Sequence, residues 1–219
     1  EDIDLVQAHP EPIGGTGDAI RAALSWLGKC SREQAGHSMH LVFKFTPEID
    51  VFFNDTATTE IYTREHASLL GVRRYPFAVE NDWYRGTAEI ASFEPEELFG
   101  TKLRALLQRR RNRDLFDLHQ GLEQLPLAPE KVIACFDHYL ALEGKPISRA
   151  MAEQRMLEKL TRSLTEDVAP MLPASVRWSD ADAIQAFDRV WTELIARIGG
   201  DPWKLSAAVI EELRASRYP

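Results

Sequence analysis

Long apolar runs are missing from this 219-residue chain. No stretch approaches the roughly 18 consecutive apolar residues that a membrane-crossing helix requires, and the first residues do not follow the basic-then-apolar order of a secretory signal. A cytoplasmic location with no membrane partner is therefore expected. Cysteine is scarce. Cys30 and Cys135 stand far apart with no C-x-x-C spacing, which argues against a zinc site or a disulfide framework and leaves two thiols expected to be buried. Cationic excess is lacking too: the net charge of −8 argues against a broad nucleic-acid surface and leaves room only for a local basic patch. The one dense basic run is Arg109-Arg110-Arg111-Asn112-Arg113. What is present is 44% hydrophobic residues, enough for a real core in one large or two small domains.

The chain starts without methionine on Glu1-Asp2-Ile3-Asp4-Leu5-Val6, so it reads as a piece of a longer protein. Alternation along a strand projects Asp2 and Asp4 together and sends Ile3 and Leu5 toward a core. In an acidic protein a lone D-x-D is most often a solvated strand face. With partners elsewhere it becomes a cation site, because adjacent carboxylates repel unless a cation such as Mg²⁺ lies between them. The proline and glycine content of residues 9–17 predicts a loop, with Asp18 capping a helix that carries Ile20, Ala23, Leu24 and Leu27. Gly14-Gly15-Thr16-Gly17 lacks both the Lys-Ser/Thr of a P-loop and the spacing of a dinucleotide motif. A strand is expected over 40–45, and short strands over 76–79 and 87–90 flank the turn-prone Asn81-Asp82.

From Pro95 onward the text is helical. Pro95 suits a first helical position, and Glu96 and Glu97 suit the positive end of the helix dipole. Leu98, Phe99, Leu103, Leu106 and Leu107 form one apolar stripe, and Leu115, Leu118, Leu122 and Leu125 a second. Further amphipathic stretches cover 129–142, 148–169, 179–197 and 201–215. The layout is α+β followed by a helical bundle, divided at 1–91 and 92–219. Lys102 falls on the first stripe, where a lysine must snorkel, pair with a carboxylate or line a ligand cavity. Asp114 and Asp117, three apart, share a helix face able to hold a cation or the guanidinium of Arg104 or Arg113. Carboxylate metal ligands and cations that neutralise phosphate are the parts that phosphoryl transfer requires.

At these residues a family resemblance becomes specific. The run Glu97-Leu98-Phe99-Gly100-Thr101-Lys102-Leu103-Arg104-Ala105-Leu106, then Gln108-Arg109-Arg110 and Arg113-Asp114-Leu115-Phe116-Asp117-Leu118, resembles the signature of the AbiEii/AbiGii nucleotidyltransferase toxins. Glu1-Asp2-Ile3-Asp4-Leu5 resembles their catalytic D-x-D, and the likeness extends to about residue 120. It implies a polymerase-β-like nucleotidyltransferase core, a small mixed sheet with helices, followed by a C-terminal helical domain. It also implies Mg²⁺-dependent transfer of a nucleotide from an NTP to an RNA acceptor, the 3′ end of tRNA in related toxins, within a toxin–antitoxin or phage-defence pair. Asp2 and Asp4 would then be the Mg²⁺ ligands and Lys102 a phosphate contact. Asp114 would complete the polar site, with Arg104, Arg113 and Asp117 supporting the substrate. The family's third carboxylate stands in a strand reading Glu-Ile-x-Thr-Arg-Glu, which Glu60-Ile61-Tyr62-Thr63-Arg64-Glu65 matches. The family also places a glycine-rich segment with a serine or threonine before the D-x-D. Since this chain begins after that point, these 219 residues are expected to bind NTP poorly, with activity in the longer parent.

Residues 54–63 carry a second resemblance. Asn54-Asp55-Thr56-Ala57-Thr58-Thr59-Glu60-Ile61-Tyr62-Thr63 is similar to the translation of a common sequencing-library adapter, which points to an artefact spliced into a natural gene. The competing functional class is an interaction protein with relic carboxylates, whose helical region binds a partner such as a cognate antitoxin.

Overall fold

Every second residue of Ser38–Phe45 is apolar and bulky enough to fill a core, and this segment forms β3, with Met39, Leu41 and Phe43 fully buried. The computed structural model describes residues 2–45, 55–62, 68–82, 84–160 and 164–216. These fall in two compact units, Glu1–Ser68 and Leu69–Pro219. The 91/92 boundary drawn from the sequence lies inside a strand of the second unit.

The first unit is a four-stranded mixed sheet with one helix. β1 (Asp2–Val6), β2 (Lys29–Ala35), β3 and β4 (Asp55–Tyr62) lie in the order β1-β4-β3-β2; β1 and β4 run parallel, the other pairs antiparallel. The adapter-like text thus supplies an internal strand, whose Thr59 and Ile61 are buried. One face of the sheet is covered by Ile13 and Ile20 of α1 (Ile13–Ala23), by Leu24 that caps it and by Leu27 of the short turn after it.

Here the structure corrects the sequence reading. Gly14-Gly15-Thr16-Gly17 is helical, not looped, and Asp18 lies inside the helix. Glycine costs up to about 1 kcal/mol per helical position relative to alanine, and packing overrides that cost. A Cβ on Gly17 would come within 2.5 Å of Met39 Sδ, so the missing side chain lets the helix settle on β3. Ile3 and Leu5, expected in a core, stay 53% and 37% exposed because β1 is an edge strand. Cys30, expected to be buried, is only partly so, while Cys135 is fully enclosed and burial pushes its thiol up to about 11.

The second unit opens with an antiparallel hairpin, β5 (Val72–Glu80) and β6 (Arg85–Phe93), closed where the Asn81 side chain accepts from the Tyr84 amide at 2.8 Å. Then come α2 (Pro95–Gln108), α3 (Arg113–Gln124), α4 (Pro129–Glu143), α5 (Arg149–Lys159), α6 (Asp180–Glu193) and α7 (Ser206–Ser216). The expected helix over 148–169 ends at Lys159. Ser148 caps α5, and Ser179 with Asp182 forms a capping box on α6. Leu103, Leu106, Leu107, Leu115, Leu118 and Leu122 meet Phe136, Met156, Phe187 and Val190 in one core, whereas Leu98 and Leu125, at the ends of the two stripes, remain exposed. Gly100 sets the approach of α2 to α4, since its Cβ would lie 2.7 Å from that of Cys135. Among the described residues, then, the protein is a mixed α+β structure with small sheets followed by helices, and no helix is long and apolar enough to cross a membrane.

Candidate active site

The residues singled out by the sequence fall into two groups, one in each unit. In the first, Asp4 of β1 stands opposite Glu60 of β4, and Glu60 stands opposite His40 of β3. Directly opposed residues share a sheet face, so the three form one row across three strands, on the side away from Met39, Leu41, Phe43 and Ile61. The backbone of Asp2 is in register with Thr58. His40 Nε2 lies 3.4 Å from Glu60 Oε1 and 2.9 Å from Ser38 Oγ. Thr63, Arg64 and Glu65, the rest of the third-carboxylate motif, lie outside the described residues, as does Glu1.

Opposed carboxylates repel, and either a protonated histidine or a cation relieves them. Carboxylate oxygens are hard donors of the kind Mg²⁺ prefers; that ion takes one or two of them and fills its shell with water and phosphate oxygens. Among the described residues no three His, Cys, Asp or Glu side chains group closely enough to hold an ion. Asp4 and Glu60, on neighbouring strands, supply hard carboxylate donors of the kind that such an ion accepts.

In the second unit α2 and α3 bring four of the predicted residues together. Lys102 Nζ of α2 donates to Asp117 Oδ2 of α3 at 2.5 Å, so the lysine on the apolar stripe neither snorkels nor lies buried. One turn before Asp117, Asp114 is 96% buried, and its Oδ2 has no hydrogen-bond partner among the described residues. Burial holds its carboxyl above the ordinary range, against the opposing pull of Lys102, Arg109 and Arg113, while Asp117 adds to the rise. Arg104, also expected near these carboxylates, pairs with Glu143 at 3.0 Å and lies 5.2 Å from the centre of the Tyr139 ring.

Two polar residues escaped the sequence reading. His40 sits in a strand whose apolar alternation draws attention to its neighbours, and only the register with Glu60 reveals it. Glu97 reads as a first-turn dipole partner, yet it is fully buried and accepts from the amides of Leu69 and Leu70 at 2.7 and 3.0 Å and from the Tyr139 hydroxyl at 2.6 Å.

Comparison with known proteins adds an independent line. Residues 1–193 match the family model described as "Nucleotidyl transferase AbiEii toxin, Type IV TA system". No curated protein matches the chain. A solved structure described as "Crystal structure of putative nucleotidyltransferase from H. pylori" is similar at 16% identity and a TM-score of 0.49, covering 88% of this chain and 77% of that one. With the family model spanning most of its length, the chain belongs to the AbiEii nucleotidyltransferase toxin family of type IV toxin–antitoxin systems.

Proposed function

We propose that the protein transfers a nucleotide from an NTP to an RNA acceptor, the 3′ end of a tRNA, with Mg²⁺ as the metal, in the cytoplasm and in partnership with a cognate antitoxin. The acceptor hydroxyl attacks the α-phosphate in line; the new P–O bond forms as the bond to pyrophosphate breaks, and the hydroxyl proton passes to a carboxylate. Asp2, Asp4 and Glu60 would hold the metal, which when bound polarises the phosphoryl oxygens and offsets their charge. Asp4 or Glu60 takes the acceptor proton. His40, paired with Glu60, fixes the orientation of that carboxylate.

Lys102 supplies positive charge to the triphosphate, and Asp117 holds its ammonium in place until phosphate competes for it. Arg113 adds charge to the same substrate. Asp114, buried at the head of α3, tempers the field of those cations.

The observation that carries this reading is the Asp4, Glu60 and His40 row within a chain of this family. The test is direct. The full-length protein is incubated with each labelled NTP, Mg²⁺ and total tRNA, and the reaction is repeated with Asp4→Ala. Label on tRNA that disappears in the variant supports the proposal; labelling unchanged by Asp4→Ala rejects the role given to the row.

A further inference from the structure

The loop joining α2 to α3 and the first residue of α3 carry Arg109, Arg110, Arg111 and Arg113 within five residues of a chain whose net charge is −8. Arg109, Arg110 and Arg111 are exposed, Arg113 is half-buried, and none of the four makes an ion pair with a described residue. Four like charges so close repel one another, and a free loop would splay to separate them. This one is fastened by its backbone. Lys159, at the end of α5 and only 6% exposed, donates its ammonium to the carbonyl oxygens of Arg109 and Arg111 at 2.9 and 3.1 Å. Asp167 Oδ2 accepts the Asn112 amide at 2.6 Å, and Arg155 Nη1 donates to the Leu107 carbonyl at 3.2 Å.

Arg155 and Lys159 thereby satisfy the Leu107 and Arg109 carbonyls at the end of α2, while the Arg111 carbonyl and the Asn112 amide of the loop are satisfied by Lys159 and Asp167. These contacts bury an ammonium beside a cluster of its own sign, an arrangement that a mere spacer between two helices does not need. Asp114 lies within the field of Arg109 and Arg113, and backbone clamping of the exposed Arg110 and Arg111 beside them is preorganisation for a polyanion: the repulsion is overcome during folding rather than at the moment of binding. The ligand's form follows from exposure. The compact charge of a triphosphate suits the half-buried Lys102 and Arg113, whereas Arg110 and Arg111 are exposed on a loop, where a polymer of phosphates can run past them.

We propose that the Arg109–Arg113 loop is the surface on which the sugar-phosphate backbone of the RNA acceptor docks, and that Lys159 and Asp167 are positioning residues that hold it in its docking shape. The proposal rests on the reading of the acceptor as RNA. Its test is read without turnover, so a failed transfer assay leaves it intact.

The probe is a fluorescein-labelled single-stranded RNA, followed by anisotropy with the full chain over a salt series. Arg110→Ser combined with Arg111→Ser is expected to weaken binding about tenfold at low salt and to reduce the slope of log K against log[salt] by about 1.4, or 0.7 for each lost phosphate contact. Lys159→Met, with all four arginines intact, is expected to reduce the same slope, and Lys159→Arg to restore it. A merely structural lysine would change thermal stability and leave the slope alone. Should Lys159→Met fail to fold, Asp167→Ala is read by the same criterion. A wild-type slope in the double arginine variant, or in a folded clamp variant, overturns the proposal. So does a loss of Mg²⁺–ATP affinity with RNA binding unchanged, which would assign the loop to the nucleotide instead.

Discussion

Lys102 Nζ reaches Asp117 Oδ2 at 2.5 Å, tying α2 to α3 through two side chains that are each about two-fifths exposed, at 40% and 38%. An ion pair so open to water adds only about 0–1 kcal/mol to folding. Lys102→Ala is therefore expected to shift urea stability by no more than about 1 kcal/mol. If the lysine serves the triphosphate, the same change slows nucleotide transfer by about a hundredfold or more, the usual consequence of losing one positioned cationic or hydrogen-bonding contact to a developing charge. Urea melts and initial rates on the same preparations separate the two effects. A rate loss no larger than the loss of folded protein makes the pair structural.

The opposition of Asp4 to Glu60 predicts a response to metal that can be read without any substrate. Like charges facing each other across neighbouring strands destabilise by up to about 1 kcal/mol, so Asp4→Asn is expected to match or slightly exceed the wild type in Tm in the presence of EDTA. Addition of Mg²⁺ is expected to raise the Tm of the wild type and not that of the variant, because an ion that binds only the folded state stabilises it by mass action. Equal Mg²⁺ responses in the two proteins would remove Asp4 from the metal site.

Glu97 is expected to behave in the opposite manner to Lys102, with a large effect on folding. Its carboxylate accepts the Leu69 and Leu70 amides and the Tyr139 hydroxyl with no exposure to water. Glu97→Gln weakens charge-assisted bonds and is expected to cost about 1–3 kcal/mol. Glu97→Leu, which leaves all three donors without their acceptor, costs more. Urea denaturation of both variants checks the order; a leucine variant as stable as the wild type would show that those donors find other partners.

The contrast between Glu97 and Lys102 marks how far the sequence could be read. Helices such as α3 and α6 were legible because leucine, phenylalanine and valine recur at helical spacing. The β5–β6 hairpin was legible from Asn81-Asp82 and its flanking strands. β2 was not, because Lys-Cys-Ser-Arg-Glu-Gln-Ala lies at a sheet edge and carries little apolar alternation. The glycines of α1 misled for a similar reason: the helix rests on the packing of Ile13, Ile20 and Gly17 against the sheet, which no local propensity expresses. The Lys102 and Asp117 pair needed only two adjacent helices to be anticipated, whereas the partners of Glu60, Glu97 and Lys159 come from strand register and distant segments.

Asp114 and Glu153 are expected to give the pH dependence of stability two limbs of opposite sign. Burial raises the Asp114 carboxyl above its ordinary 3.8 despite the pull of Lys102, Arg109 and Arg113, so between the unfolded and folded values the folded state binds more protons. Its contribution is fully present below the unfolded pKa and is lost as pH rises through the folded one. For Glu153, burial also acts upward, but hydrogen bonds from the Ser206 hydroxyl, Arg149 Nε and the Trp203 amide, with the charge of Arg149, outweigh it and hold the carboxyl below its ordinary 4.5. That contribution is present above the unfolded value and disappears as pH falls through the folded one. Urea melts across the acid range should show Glu153→Gln flattening the loss toward low pH while lowering stability near neutrality. Asp114→Asn should instead gain on the wild type as pH rises through the carboxylate range. A difference between Asp114→Asn and wild type that does not change with pH would mean that Asp114 ionises no less readily in the folded chain than in the unfolded one.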